Sequence, residues 1–213
     1  MRVLERLVYS FDELTDDAKQ KAIEKHWEFV SKWFSDDAEH IFEDAAAIAD
    51  ILGIDLKTRA VKLLGGGTRN EPCIYYSGFS SQGDGACFEG SYCYAKGSQK
   101  AIRDYAPQDK ELHRIADELA AIQKPYFYRL EASAKHSGHY YHSGCMSVSA
   151  WHRDDQYRDI GDAEDELKEV LRDFANWIYA RLESEYEYRT SEEQIIESIK
   201  ANEYEFFADG SLS

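Results

Sequence analysis

The 213-residue chain carries 41 Asp and Glu against 25 Lys and Arg, a net charge of −16 at pH 7. Such a chain repels a phosphate backbone, which excludes direct nucleic-acid binding unless a basic patch is concealed in the fold. With 43% hydrophobic and 14% aromatic residues it can fill a core, and no run of about 18 apolar residues exists to span a bilayer.

Residues 3–10 (VLERLVYS) read as a short strand or a lead-in, and the first ten residues are too short and too charged for a signal peptide. Four cysteines without C-x-x-C spacing are then expected as reduced thiols in a cytosol. Thr15 is a good N-cap for a first helix, with Asp16 and Asp17 in the first turn. Ala18, Ala22, His26, Phe29 and Trp33 form one stripe, and Ile23, Trp27, Val30 and Phe34 an adjacent one. The combined face predicts a well-buried helix.

A second helix is predicted over 36–52, with Asp36, Asp37 and Glu39 near its start and Gly53 as its cap. Residues 54–64 alternate weakly and suggest a strand, and 65–72 (GGGTRNEP) read as a loop. The centre of the chain is CIYYSGFSSQGDGACFEGSYCY at 73–94, two aromatic and β-branched runs around Gly83-Asp84-Gly85. It is predicted as one β-hairpin. Residues 96–105 read as a loop or short helical turn, and 109–123 as a helix ended by Pro125.

Residues 126–136 and 145–150 alternate as half-buried strands. Pairing Leu130 with Met146 puts both apolar sets on one face and leaves Ser137-Gly138-His139 as a three-residue loop. A helix over 162–185 buries Leu167, Val170, Leu171, Phe174, Trp177, Ile178 and Leu182. Thr190 opens a last helix with a capping-box pattern ending at Glu193, and 204–207 suggests a final strand. The fold class is therefore α+β, a single domain over 1–213 whose antiparallel sheet is built from two central hairpins and covered by about five helices.

Three blocks carry a resemblance: FDELTDDAKQKAIEKH at 11–26, YYSGFSSQGDGACFEGSY at 75–92 and YEYRTSEEQIIESIKANEYEFFADG at 186–210. Together they resemble a family encoded by tailed bacteriophages and prophages, whose members often carry the label of an antitoxin of a toxin–antitoxin stability system. The resemblance implies a bacterial cytoplasm, a phage or integrated element and an accessory role; it supplies no catalytic or binding residues.

Three groups of residues are candidates for function. In the 80–85 turn, Gln82 and Asp84 can present side chains and backbone amides to a ligand, although turn chemistry alone accounts for the glycines. His136, His139 and His142, with His152 further on, are the residues that would hold zinc or another divalent ion, and no other cofactor is expected. In the expected register, His136 and His142 lie two residue steps apart on one face. Between Glu183 and Glu205, eight glutamates, among them Glu183, Glu185, Glu187, Glu192 and Glu193, face two basic residues, Arg189 and Lys200. That run is either a solvated face or a docking surface for a basic protein. No nucleophile elbow, Cys–His signature, H-E-x-x-H or dinucleotide fingerprint occurs, so an enzyme is the less favoured reading. The expected function is a phage- or prophage-encoded acidic accessory protein that binds and modulates a bacterial or phage protein, with a basic partner expected; the alternative is a small-molecule or metal-binding protein, or an enzyme, with its site at the 80–85 and 136–142 turns.

Overall fold

The computed structural model describes residues 6–63 and 65–213, with the backbone alone at Asp36 and Asp37. The strand expected over 3–10 therefore falls partly outside the described residues, as does Leu64 at the end of the strand expected over 54–64. In chain order the elements are β1 (Tyr9–Ser10), α1 (Asp16–Asp37), α2 (Glu39–Leu52), β2 (Ile54–Leu56), β3 (Thr58–Lys62), β4 (Thr68–Pro72), β5 (Ile74–Tyr76), β6 (Ala86–Phe88) and β7 (Gly90–Cys93). They continue with α3 (Ser98–Tyr105), α4 (Lys110–Gln123), β8 (Leu130–His136), β9 (Met146–His152), α5 (Ala163–Thr190), α6 (Glu192–Ala201) and β10 (Glu205–Phe206). Every strand pair is antiparallel, and the class is α+β as the sequence suggests. Among the described residues no helix is long and apolar enough to cross a membrane.

The chain divides into two compact units, a central one over His40–Arg181 and a terminal one made of Met1–Glu39 and Leu182–Ser213. The central unit is built on a four-stranded sheet in the order β2-β7-β8-β9. The expected alternation holds in β8: Leu130, Ala132 and Ala134 are buried, while Lys135 is exposed. The apolar sides of α2, α4 and α5 are buried in the same unit, with Ile48, Leu112, Ile115, Leu167, Phe174 and Ile178 at 0–1% exposure. Burying each such side chain stabilises the fold by about 1.5–3 kcal/mol. Phe88 of β6 meets Phe174 of α5 edge to face, centroids 5.7 Å apart.

Four local expectations are corrected. The stretch 73–94 is not one hairpin: β5 pairs with β6, whereas β7 joins the larger sheet between β2 and β8. The segment 68–72 is strand β4, which pairs with β3 as an exposed ribbon; Pro72 sits opposite Thr58 at the end of the ladder, where a missing N–H is tolerated. Residues 98–105 form helix α3, with Ile102 fully buried. The β8–β9 register pairs His136 with Met146 and Leu130 with His152. That is six residues from the expected pairing. An even slip keeps each apolar set on its face, and this register pairs every residue of both seven-residue strands.

In the terminal unit β1 pairs with β10, and Phe11, Leu14, Ala18, Ala22, Ile195, Ile199 and Phe206 form the core. Thr15 caps α1 as expected, its hydroxyl accepting from Ala18 N–H. The cap of α6 is Ser191 rather than Thr190: Ser191 Oγ accepts from Gln194 N–H, while Thr190 ends α5 and donates to the Tyr186 carbonyl. The burial expected of α1 is also corrected, because Trp27, Phe29 and Trp33 are 43, 59 and 46% exposed.

His26 of α1 is half-buried between Phe29 and Tyr204, with Nε2 3.3 Å from Ser198 Oγ. Burial lowers its pKa from the ordinary value near 6.5. The unfolded chain then takes up a proton at a higher pH than the folded one. Stability is expected to be fully present above about pH 7, to fall as the pH drops below the unfolded pKa, and to level off once the folded imidazole is protonated. Urea midpoints between pH 5 and 8 should fall less steeply in His26→Gln; an unchanged slope refutes this assignment.

Candidate functional site

The two turns singled out in the sequence meet in space. The 77–85 segment joins β5 to β6 and the 137–145 segment joins β8 to β9. Gly85 passes so close to His142 that a Cβ on the glycine would stand 2.6 Å from His142 Cβ and 2.9 Å from its Cα. Ser77 Oγ donates to the Tyr141 carbonyl at 3.4 Å. Gly85→Ala must push the turns apart, which is expected to destabilise the protein by about 2 kcal/mol. Gly65→Ala, with no atom within 4 Å of the added methyl, serves as the control. Equal melting temperatures for the two variants defeat the prediction.

The side chains at this joint are turned toward structure. Asp84 Oδ2 accepts from the Ser81 N–H at 2.7 Å and from the Ser80 N–H at 2.9 Å. The Ser81 bond is the largest influence holding its carboxyl below the ordinary range. Gln82 is exposed at the tip of the loop. His136 Nε2 lies 3.0 Å from the Tyr140 carbonyl, and the exposed His139 stands edge-on to Tyr140. His142 Nε2 lies 3.2 Å from Cys145 Sγ, closing a 3-10 turn in which Cys145 N–H donates to the His142 carbonyl. His152 is buried at the other end of β9, its Nδ1 accepting from Asp154 N–H.

His136, His139 and His142 are not gathered around one point as a metal site requires. Among the described residues no group of three or more His, Cys, Asp or Glu side chains is placed to hold a metal ion. The physical reason is the register: the loop after His136 is nine residues long rather than three, so His136 and His142 no longer face each other across a tight hairpin. The four cysteines are free thiols, two of them buried. Burial pushes the Cys87 thiol up to about 12, which leaves it protonated and a poor nucleophile.

The acidic residues are distributed differently. Glu183 and Glu185 are half-buried, and Glu185 pairs with Arg189 at 2.6 Å. Glu187, Glu192 and Glu193 are exposed, the last two in the first turn of α6. The charge is segregated. The terminal unit holds nineteen acidic against eight basic residues, a net −11, whereas the central unit, twice as long, holds twenty-two against seventeen, a net −5.

The sequence did not reveal the groove beside Trp27 of α1 that accompanies this charge. A groove of about 450 Å³ runs between α1 and α6. Ile23, Trp27 and Ile195 line it, with Glu24, Glu28 and Glu192 along it and no basic residue among the lining side chains. The available signal was the width of the α1 face: two adjacent apolar stripes exceed what one neighbouring helix covers.

No curated protein and no solved structure matches this chain. One family does, and its match over residues 38–192 spans the whole central unit, the meeting turns and all of α5. The chain belongs to the family described as a domain of unknown function (DUF8835).

Proposed function

We propose that this is an acidic accessory protein, encoded by a tailed phage or prophage and acting in the bacterial cytoplasm, that binds and modulates a basic bacterial or phage protein in the manner of an antitoxin or an inhibitor of host defence. The phage context rests on the three resembling sequence blocks. The binding role rests on one observation: the compact unit that concentrates the negative charge also exposes Trp27 in a groove lined by Glu24, Glu28 and Glu192. An exposed aromatic side chain in a charged groove is characteristic of an interaction site. The occupant that fits the groove is a basic amphipathic helix of the partner. Its apolar side chains would lie on Ile23, Trp27 and Ile195, and its Lys and Arg against Glu24, Glu28 and Glu192.

The test is capture from phage-infected cells on immobilised protein. A basic protein should be retained at low salt, be released by salt, and bind again after purification. A column carrying Glu24→Gln, Glu28→Gln and Glu192→Gln together should fail to retain it. If the wild-type and triple-variant columns retain the same proteins, the proposal is wrong.

A further inference from the structure

The β3–β4 ribbon reverses the charge of the rest of the molecule. Between Lys57 and Glu71 the chain carries Lys57, Arg59, Lys62 and Arg69 against one carboxylate, a net +3 on a chain of −16. Both strands are largely exposed, and at about 3.4 Å per residue the ribbon is roughly 17 Å long. The register pairs Arg59 with Glu71 and Val61 with Arg69, so both guanidiniums emerge on one face. Both pair with Glu71, which lies 2.7 Å from Arg69 and 3.8 Å from Arg59.

That face continues into an aromatic stack. The Arg59 guanidinium lies over the Tyr75 ring, 5.3 Å from its centroid. Tyr75 stacks on Tyr141 at 5.4 Å with planes 16° apart, and His136 packs against both rings. Tyr141, at the edge of the stack, is 37% exposed, and Tyr140 before it in the chain is 62% exposed. The Tyr75 phenol is pushed up to about 12, first by its hydrogen bond with Cys73 and then by burial. The stack therefore brings no negative charge to the cations beside it.

We propose that the Arg59–Arg69 face of the β3–β4 ribbon and the Tyr75–Tyr141 stack at its foot form a binding surface for single-stranded nucleic acid, with Arg59 and Arg69 taking backbone phosphates and Tyr141 taking a base. Cations alone would serve any polyanion; cations continuous with exposed, mutually stacked rings match unpaired bases, which present a π-face that a duplex hides. This is the concealed basic patch that the net charge alone does not reveal. The surrounding negative field opposes long-range attraction, so the binding is short-range, with a Kd of about 10⁻⁵ M near physiological salt. The inference is independent of the acidic groove on the terminal unit.

The experiment is fluorescence anisotropy with a labelled oligothymidylate of about twelve nucleotides, a length within the site sizes of single-strand binders. Saturable binding is expected, with log K falling against log salt at a slope of about −1.4 for two phosphate contacts. Arg59→Glu and Arg69→Glu should each weaken binding about tenfold and flatten that slope, and Tyr141→Ala should weaken it about tenfold by removing a stacking partner. Glu71→Gln should tighten binding about threefold by releasing the two guanidiniums from their shared carboxylate. A variant that merely misfolds cannot produce a gain. The proposal is overturned by the absence of saturable binding, by equal binding of polyglutamate, or by a duplex of the same sequence binding as tightly with Tyr141→Ala having no effect.

Discussion

Replacing Gln123 by leucine is expected to destabilise the protein by about 3 kcal/mol, although the substitution looks mild by volume. Gln123 ends α4 with no exposed surface. Its amide makes a two-way bond with the first residue of β8: Nε2 donates to the Leu130 carbonyl at 2.8 Å, and Oε1 accepts from the Leu130 N–H at 3.0 Å. Leu130 is itself fully buried. Between them Phe127 and Tyr128 take positive φ angles of 53° and 61°, a region that disfavours side chains of their size. The glutamine thus holds a strained turn closed and aligns β8, which leads to His136 and the loop carrying Tyr141. Leucine leaves a buried donor and a buried acceptor without this partner, at about 1–3 kcal/mol each. Gln123→Glu should be at least as damaging, since a carboxylate cannot donate to the Leu130 carbonyl. A urea midpoint that stays within error of wild type in Gln123→Leu shows that the bridge is dispensable.

Features set by local chemistry were legible in the sequence. Thr15 and Asp109 start helices because their side chains accept from the free amides of the first turn. Gly53 ends α2 with φ at 84°, a conformation open to glycine. The α5 stripe from Leu167 to Leu182 is buried as its spacing predicts. Partnership between distant segments was not legible. The alternation of β8 and β9 specifies which faces meet, and an even slip in register leaves that unchanged, so the pattern cannot distinguish a three-residue loop from a nine-residue one. Strand β7 pairs with β2 far upstream, and nothing local to 73–94 marks it as belonging elsewhere. Strand β4 is exposed along most of its length, so it lacks the apolar alternation by which a strand is recognised, and the glycines before it and Pro72 read as a loop.

The candidate sites divide in the same way. The glutamate run after Glu183 was visible as composition. Its meaning depends on α1, more than 140 residues earlier in the chain, being folded into the same unit. Likewise the histidines near 136–142 were visible, but their expected convergence required a short hairpin. The structure brings the 77–85 and 137–145 segments together while turning Asp84 toward its own loop and His142 toward Cys145. The cationic and aromatic residues of this surface came from stretches read separately as a strand, a loop, a hairpin and a histidine turn.

Trp27→Ala is expected to weaken binding of the basic partner by about thirtyfold or more while leaving the stability of the protein nearly unchanged. Trp27 is 43% exposed beside Ile23 and Ile195 in the α1–α6 groove, so the free protein loses little packing when it is truncated. An exposed substitution of this kind shifts stability by about 0.5 kcal/mol or less. In the complex the same indole would be desolvated against the partner, and tryptophans in that position are typical hot spots, at about 2 kcal/mol or more on truncation. At 1.4 kcal/mol per decade, that is about thirtyfold in Kd. The glutamates act differently. Neutralising Glu24, Glu28 and Glu192 should chiefly slow association and reduce its salt dependence, because exposed charges steer encounter more than they hold the complex. Trp27→Ala should chiefly speed dissociation. Surface plasmon resonance with the purified partner separates the two rates. Unchanged dissociation in Trp27→Ala alongside slowed association in the glutamate variant makes the surface a purely electrostatic one, with no apolar anchor in the groove.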